Sequence, residues 1–141
     1  PAPESLARRA VALHVAGDTK GAVAAYDTAI KAAPKDPTLL YRRGVLRMMP
    51  PADYSGAIQD FNAALTLSPD NLDVLIRRGD AYGRAGDAQK SIADLDRAVW
   101  LNLESSPAHL YRGIERARLG QFGPAQANGL GILIKKLSVH R

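Results

Sequence analysis

The amino-acid sequence predicts an all-α solenoid in which helices stack as antiparallel pairs. The first observation is a column of small residues at intervals of 34, 35 and 34: Ala10, Gly44, Gly79 and Gly113. Two further columns of small residues share this period, which indicates that one structural unit is repeated. Within each unit, apolar residues recur with the 3.6-residue period of an amphipathic helix. We expect one domain over residues 1–141, with units at about 3–36, 37–71, 72–105 and 106–139.

The repeated columns combine small and bulky residues. The second and third small columns are Ala22, Ala57, Ser91 and Ala125, then Ala29, Ala64 and Ala98, with the bulkier Ile132 in the last unit. A bulky residue stands at the start of each of the first three units: Leu6, Leu40 and Leu75. Another lies between the second and third small columns of each: Tyr26, Phe61 and Leu95. Packed helices approach to about 8–10 Å, depending on the side chains at the contact, so we expect the small columns at helix contacts.

Each unit is expected to contain two helices separated by a tight turn. Gly17, Gly86 and Gly120 stand where the first helix ends, and glycine tolerates the positive φ that often terminates a helix. The second helix should stop before Pro34 or Pro69, because proline restricts the residue that precedes it. This order of signals gives helix, turn, helix in every unit.

The clearest unit reads "LIRRGDAYGRAGDAQKSIADLDRAVWLN", and it resembles the tetratricopeptide repeat, a helix–turn–helix of about 34 residues. The resemblance extends over roughly residues 3–139. It implies a right-handed superhelix whose first helices line a concave groove, and a role in protein–protein interaction. The fourth unit departs from the pattern, with His109 at its leading position and Gly129 where an aromatic residue belongs. Its second helix is therefore expected to be degenerate.

Arginines immediately precede the first small column in all four units: Arg9, Arg43, Arg78 and Arg112. The resemblance implies that such an arginine faces an acid on the second helix of its unit. Asp60 and Asp94 occupy that place, so we predict the ion pairs Arg43–Asp60 and Arg78–Asp94. Ala25 and Asn128 stand there in the first and last units, whose arginines should lack this partner.

A second arginine column lies one residue earlier, at Arg8, Arg42 and Arg77, and it ends in Tyr111. One residue along a helix is a rotation of about 100°, so these side chains cannot share the direction of their neighbours. The resemblance implies that this column borders the concave groove. The alternative interpretation is a solvated face that binds no ligand.

Further residues of the first helices are implied to face the groove: Val11, His14, Tyr41, Val45, Met48, Met49, Ile76, Asp80, Arg84, Ile114 and Arg118. A contiguous exposed apolar patch usually marks an interaction site, and methionine adapts well to varied contacts. We predict that the groove binds apolar side chains of an extended or helical peptide. The arginines would then contact a carboxylate or backbone carbonyls. For the two methionines, ordinary helix packing is the alternative.

One specialisation of the family can be compared position by position. Chaperone-tail-binding members clamp a terminal carboxylate with lysines and asparagines on the first helices of three successive units. The corresponding positions here are Ala7, Val11, Arg42, Asp73 and Arg77. Arg77 alone fits in type and place, and Asp73 reverses a charge. We therefore do not expect a chaperone-tail clamp.

The sequence contains no recognisable catalytic or metal-binding motif. Cysteine is absent, and His14, His109 and His140 are scattered without metal-ligand spacing. Asp94 and Asp96 are two residues apart, so they point to different faces of a helix. We expect no enzymatic activity, no cofactor and no metal.

The net charge of +5 is concentrated in the last unit, where residues 106–141 contain six basic side chains and one acidic side chain. The simplest interpretation is a solvated cap on the terminal repeat. Binding of a polyanion such as nucleic acid is an alternative that we do not favour. Self-association through the apolar segment "LGILIKKL" at 130–137 is another.

The compartment is only loosely indicated. No run of about 18 apolar residues occurs, so we expect a soluble chain without a membrane span. The Ala- and Arg-rich composition favours a bacterial source, in the cytoplasm or periplasm. The chain begins PAPE without Met, which suggests processing or excision from a longer chain.

Overall fold

The computed structural model describes residues 2–120, which form seven α-helices and no strand. The helices are α1 (Pro3–Val15), α2 (Thr19–Ala32), α3 (Pro37–Arg47), α4 (Tyr54–Leu67), α5 (Leu72–Arg84), α6 (Ala88–Leu101) and α7 (Ser106–Arg118). Each helix packs against the next one in sequence, and α5 also contacts α7. The predicted all-α solenoid of helix pairs is therefore confirmed.

Aspartates start the second helix of each of the first three units. The side chains of Asp18, Asp53 and Asp87 accept a hydrogen bond from the backbone N–H three residues later, at 2.8, 2.8 and 3.1 Å. Such caps satisfy N–H groups that have no partner inside the helix. The repeated cap fixes where α2, α4 and α6 begin.

The turns and helix ends follow the sequence prediction. Gly17, Gly86 and Gly120 have φ values of 87°, 92° and 71°, which other residues adopt only with strain. Helices α2 and α4 end two residues before Pro34 and Pro69. The predicted role of the three glycines is confirmed.

The small columns lie at the helix contacts, as predicted. Seven of their members are fully buried: Ala10, Ala22, Ala29, Ala57, Ala64, Ser91 and Ala98. Gly44 lies so close to Phe61 that an added Cβ would be 2.6 Å from the ring carbon Cε1. At Gly79 an added Cβ would be 2.8 Å from Cγ of Leu95. These two glycines let the paired helices approach each other.

The second half of the fourth unit lies outside the described residues. The predictions for Ala125, Asn128, Gly129 and Ile132 and for segment 130–137 therefore stay predictions. Gly113 meets no atom of the described residues within 4 Å of an added Cβ.

Candidate functional site

Arg43 on α3 connects three helices. Its Nε and Nη2 donate hydrogen bonds to Asp60 of α4, at 3.0 Å to Oδ2 and 2.7 Å to Oδ1. Its Nη1 donates to Oδ1 of Asp27 on α2 at 2.8 Å. Arg47 donates to Oδ2 of the same Asp60 at 2.9 Å. The hydrogen bonds from Arg43 to Asp60 raise the pKa of Arg43 above its ordinary value, although burial opposes this change. The predicted pair Arg43–Asp60 is confirmed.

Arg78 repeats this arrangement one unit later. Its Nε and Nη2 donate to Asp94 at 2.8 and 2.6 Å, which confirms the second predicted pair. Its Nη1 donates to Oδ1 of Asn62 on α4 at 2.9 Å. The hydrogen bonds to Asp94 raise the pKa of Arg78. A bidentate arginine–carboxylate pair adds fixed geometry to the attraction, so it holds the two helices of a unit in register.

The preceding unit supplies a further partner for these arginines, which we did not predict from the sequence. Asp27, Asn62 and Asp96 lie sixteen residues before Arg43, Arg78 and Arg112, and each accepts a hydrogen bond from its arginine. This arginine column therefore joins neighbouring units as well as the helices within a unit. A polar residue at this fixed distance before each arginine was the signal that could have revealed it.

The other arginine column points elsewhere, as its register predicts. Arg8, Arg42 and Arg77 are exposed, whereas Arg43 and Arg78 beside them are half-buried. In residues 2–120 no carboxylate lies within 4.0 Å of any of the three. These guanidinium groups are available for contact with another molecule.

Six of the predicted groove residues line one cavity of about 340 Å³ between α1 and α3: Val11, His14, Tyr41, Arg42, Val45 and Met49. Ala10, Tyr26 and Leu46 complete its walls. The lining is mostly aliphatic and aromatic, and it contains one arginine, Arg42, and no lysine, aspartate or glutamate. The structure thus brings together residues from two units at a single apolar depression.

A second cavity of about 390 Å³ continues the depression toward the start of α1. It shares Val11 and Arg42 with the first cavity and adds Arg8, and it also contains the acidic Glu4 and Asp36. Asp36 is engaged as the cap of α3, where it accepts from the backbone N–H of Thr38 at 2.9 Å. The two cavities form one groove along α1 and α3, which we call the N-terminal groove.

Several predicted residues serve the core as well as the groove. Tyr41 packs against Phe61 with ring centroids 6.1 Å apart, and Val45 and Met48 also pack on the main core cluster. His14 is half-buried, and its Nδ1 has no hydrogen-bond partner among the described residues. The floor of the N-terminal groove is therefore held in place by the core beneath it.

The other end of the solenoid has a different character. Ile76 and Asp80 on α5 are buried, and Asp80 accepts from Nε of Arg84 at 3.0 Å. Arg118 on α7 donates to Oε1 of Glu115 at 2.8 Å and to the carbonyl oxygen of Gly83 at 3.2 Å. Two of the cationic side chains predicted for this part of the groove, Arg84 and Arg118, are thus already paired, whereas Arg77 is not.

Glu115 is a buried acid that the sequence analysis did not single out. Its Oε2 has no hydrogen-bond partner among the described residues. Burial raises its pKa and the nearby charge of Asp80 adds to this, while Arg118 acts in the opposite direction. A side chain at Gly83 would collide with the Glu115 carboxylate, so this glycine makes room for the acid. The remaining predicted residues on α7 are Tyr111, half-buried against the core, and Ile114, exposed.

A third cavity of about 430 Å³ lies at the turn between α3 and α4. Two of its four charged residues, Asp27 and Arg47, belong to the network around Arg43 and Asp60, and the other two are Lys20 and Asp53. Met49 is the one predicted groove residue that reaches it. We assign no ligand to this cavity.

Comparison with known proteins decides the family. A family model of the tetratricopeptide repeat matches residues 1–48 and 52–109. The chain belongs to the tetratricopeptide repeat (TPR) family. The TPR resemblance noted from the sequence is thereby confirmed, and it rests on a match to three quarters of the chain.

Solved TPR structures agree with this fold. Residues 41 to the end of MamA from Desulfovibrio magneticus RS-1 superpose with a TM-score of 0.80 at 24% identity, covering 96% of this chain and 76% of that one. The first TPR domain of Spaghetti (RPAP3), bound to the HSP90 peptide SRMEEVD, gives 0.79 at 19% identity, covering 84% and 93%. The Arabidopsis OM64 TPR domain gives 0.77 at 22% identity, covering 83% and 96%.

Residues 2–120 contain neither a candidate membrane span nor a candidate metal site. None of the helices between residues 2 and 120 has the length and apolarity that crossing a bilayer requires. Over the same range, no group of three or more histidine or acidic side chains is placed to hold a metal ion. Asp94 and Asp96 have separate partners, Arg78 for the first and Arg112 and Arg116 for the second.

Proposed function

We propose that this chain is a non-enzymatic protein-interaction module that binds a peptide segment of a partner protein in its concave groove. The observation that carries the proposal is the cavity of about 340 Å³ between α1 and α3, lined by six residues that the TPR resemblance implies to face the groove. Its volume lies at the lower end of the range of about 300–1,000 Å³ that is usual for ligand sites. An apolar peptide side chain is a suitable occupant.

The shape of the N-terminal groove supports an elongated ligand. The two cavities share Val11 and Arg42, so together they follow two neighbouring first helices rather than forming one isolated pocket. Apolar walls would bury side chains, and the exposed arginines on the rim would pair with carboxylates or backbone carbonyls. Buried apolar contacts with a polar rim are the usual composition of a protein interface.

The related RPAP3 domain, which carries an HSP90 peptide, is a precedent for peptide binding on this fold. We do not transfer that peptide to this chain. Of the five clamp positions, Ala7 is buried and Val11 is apolar, so neither can bind a carboxylate. Asp73 would repel one. We propose a peptide ligand of a different sequence.

Three of the four buried acids in residues 2–120 support the absence of an enzymatic role in the proposal. Asp60 and Asp94 each accept a bidentate arginine, and Asp80 pairs with Arg84. Carboxylates committed to neighbouring arginines hold helices together and are poorly suited to transfer protons. Asp94 and Asp96 face different helices and do not form an acid/base pair.

Two alternatives from the sequence concern the C-terminal unit. Self-association through residues 130–137 rests on a segment outside the described residues and stays a prediction. Polyanion binding would need accessible cations in the basic last unit. Arg112 and Arg116 both lie 3.2 Å from Asp96, and Arg118 lies 2.8 Å from Glu115. These pairings favour the peptide proposal over a polyanion for the described arginines, while the other three cations of the unit, Lys135, Lys136 and Arg141, lie outside the described residues.

The proposal is tested by selecting peptides from a displayed random library on the purified chain and measuring their affinity for two matched variants. Val11 and Val15 are both exposed on α1, at 47% and 81%, but Val15 lines neither cavity of the N-terminal groove. Val11→Glu should weaken the selected peptides at least tenfold, because it places a charge in an apolar cavity. Val15→Glu should leave affinity unchanged. Equal affinity of both variants, or a library that yields no binder, would contradict the proposal.

A further inference from the structure

We infer that the chain forms a weak two-fold dimer through an exposed apolar surface at the end of α6, centred on Trp100 and Leu103 and flanked by Arg97 and Asp70. We call these four residues the Trp100 patch. None of them lines a cavity of the N-terminal groove. The inference therefore goes beyond the proposed function and does not depend on it.

Two large apolar side chains of the Trp100 patch are exposed. Trp100, near the end of α6, is 71% exposed, and Leu103, in the loop that follows, is 72% exposed. Val99 beside the tryptophan is buried in the main core cluster, so the core-facing side of α6 is already filled. Nε2 of His109 lies 2.7 Å from the carbonyl oxygen of Leu103, and this contact holds the loop in place. Tryptophan is enriched among the residues that dominate binding energy at protein interfaces.

The repeat itself shows that helix packing does not require large apolar residues at these two positions. One unit earlier the corresponding residues are Thr66 and Pro69, and two units earlier they are Lys31 and Pro34. All four are exposed. The two positions therefore face away from the core in three successive units, and of these units the third alone places a tryptophan and a leucine there. We attribute this difference to contact with another molecule.

The charged residues of the Trp100 patch identify a second copy of the chain as that molecule. Nη2 of Arg97 donates to Oδ1 of Asp70 at 2.6 Å, and its guanidinium carbon lies 5.1 Å from the centroid of the Trp100 ring. The two charged side chains remain 47% and 61% exposed. A two-fold interface requires a surface that is complementary to itself, because the same residues contribute from both sides. Charges of both signs beside one apolar surface meet this requirement.

A two-fold axis beside Trp100 would place Arg97 of each copy opposite Asp70 of the other. Within residues 2–120, Nε and Nη1 of Arg97 and Oδ2 of Asp70 form no hydrogen bond. Each group can therefore keep its bond inside the chain and form another across the axis. The result is a ring of four alternating charges around the paired apolar side chains.

The acids nearest in sequence are compatible with this pairing. Asp96, one helical turn before the tryptophan, already lies 3.2 Å from both Arg112 and Arg116. Glu104 follows the exposed leucine, is itself exposed and has no ion pair in residues 2–120. It would give Arg97 of the other copy a second acceptor.

The size of the Trp100 patch sets the expected strength of the dimer. A tryptophan can bury about 150–250 Å², so the two apolar side chains expose on the order of 200–300 Å² in each copy. Stable interfaces bury about 1,200–2,000 Å² in total, and smaller ones are typical of transient contacts. Two copies of this surface with their charged rim reach at most the lower limit. We therefore expect monomers at micromolar concentration and dimers as the concentration approaches millimolar.

The test measures self-association of the full chain from micromolar to millimolar concentration by sedimentation equilibrium. Trp100 is the only tryptophan in the chain, so its fluorescence reports directly on the Trp100 patch. The emission maximum, recorded in front-face geometry, should move to shorter wavelength as the concentration rises. This shift should follow the increase in mass from one chain to two.

Two variants remove the apolar contact. Trp100→Ala should weaken dimerisation at least tenfold, because both copies lose their central side chain. Leu103→Asp should have a similar effect and keeps the tryptophan, whose emission should then no longer depend on concentration. Val15→Asp is the matched control, since it places the same charge at another exposed apolar position, on α1. It should dimerise like the unaltered chain.

Charge reversal tests the two-fold arrangement. Arg97→Glu and Asp70→Arg each bring like charges together in a homodimer, so each should weaken dimerisation at least threefold. In an equimolar mixture of the two chains the charges are complementary across both contacts, and dimers should form at least as readily as in the unaltered chain. The ion pair inside each chain stays broken in the mixture. Recovery on mixing can therefore come only from contact between copies.

Three results would overturn the inference. The chain could remain monomeric at millimolar concentration, or it could form assemblies larger than a dimer. Its dimers could also persist unchanged in Trp100→Ala and Leu103→Asp, in which case the copies associate elsewhere, as through residues 130–137. A dimer that depends on the tryptophan but is not restored by mixing would overturn the pairing of Arg97 with Asp70. Peptide affinity of the N-terminal groove should be the same in all these variants, so failure of this inference and failure of the proposed function are distinguishable.

Discussion

Arg43 and Asp60 form a bidentate pair across α3 and α4, with donor–acceptor distances of 3.0 and 2.7 Å. Asp60 is almost fully buried and also accepts from Arg47, while Arg43 reaches back to Asp27 of the preceding unit. A polar network therefore joins α3 to α4 within the second unit and to α2 of the first unit. Arg42, one residue earlier, takes no part in the network and lines the groove.

Replacing Asp60 by alanine should destabilise the chain by roughly 2–4 kcal/mol. The change leaves two partly buried arginines without their shared acceptor, and breaking a buried pair usually costs about 3–5 kcal/mol. The lower range applies because Arg43 keeps Asp27 and both guanidinium groups reach some solvent. Urea denaturation measures the free energy of unfolding. Asp70→Ala is the control, because the exposed pair Arg97–Asp70 should contribute less than about 1 kcal/mol. Equal losses for the two variants would contradict this account of Asp60.

Gly44→Ala, at the contact between α3 and α4, should lower the free energy of unfolding of the chain by about 1–2 kcal/mol. The new methyl group would be 2.6 Å from a ring carbon of Phe61, which is fully buried and cannot move aside. Overpacking of this kind costs about 1–3 kcal/mol, and the better helix propensity of alanine returns up to about 1 kcal/mol. Ala63→Gly, at an exposed position of α4, measures the propensity difference without a packing contact and should cost about 1 kcal/mol. Thermal unfolding followed by circular dichroism compares the two, and a stabilising Gly44→Ala would contradict close approach at this glycine.

Glu115 should make stability depend on pH. Because burial raises its pKa in the folded chain, the folded state holds a proton at a pH where the unfolded state has released it. Its contribution to stability is therefore complete below the ordinary value of 4.5 and is lost as pH rises through the raised value. Relative to Glu115→Gln, the unaltered chain should gain stability as pH falls from 7 toward 4.5.

The measurement is urea denaturation of both chains at several pH values, so that titration of all other groups cancels in the difference. Arg118 and Asp80 are the charged residues that act on Glu115, and both remain in the variant. Glu104→Gln, at an exposed acid without an ion pair in residues 2–120, should show no such difference. A pH-independent difference at Glu115 would mean that its carboxyl is not perturbed.

Much of the fold was predictable because the repeat makes each position appear several times. The 34-residue spacing located the helix contacts, and the arginine register distinguished Arg43 from Arg42. What the sequence could not reveal depends on neighbouring units. Burial of Ile76, Asp80 and Glu115 arises where α5 and α7 meet, and no single-helix periodicity reports that contact. The cavity between α1 and α3 likewise depends on two helices from different units.

The adjacent arginines Arg42 and Arg43 have different roles, one at the groove and one in the ion-pair network, and a side-by-side comparison of Arg42→Ala and Arg43→Ala tests this most directly. Each variant is measured by urea denaturation and by titration with a peptide selected from the displayed library. Arg43→Ala should lose roughly 2–3 kcal/mol of stability, because Asp60 is then buried with one arginine fewer. Arg42→Ala should unfold within about 0.5 kcal/mol of the unaltered chain and bind the peptide several-fold more weakly. A loss of stability at Arg42 that equals the loss at Arg43, with peptide affinity unchanged, would contradict the account.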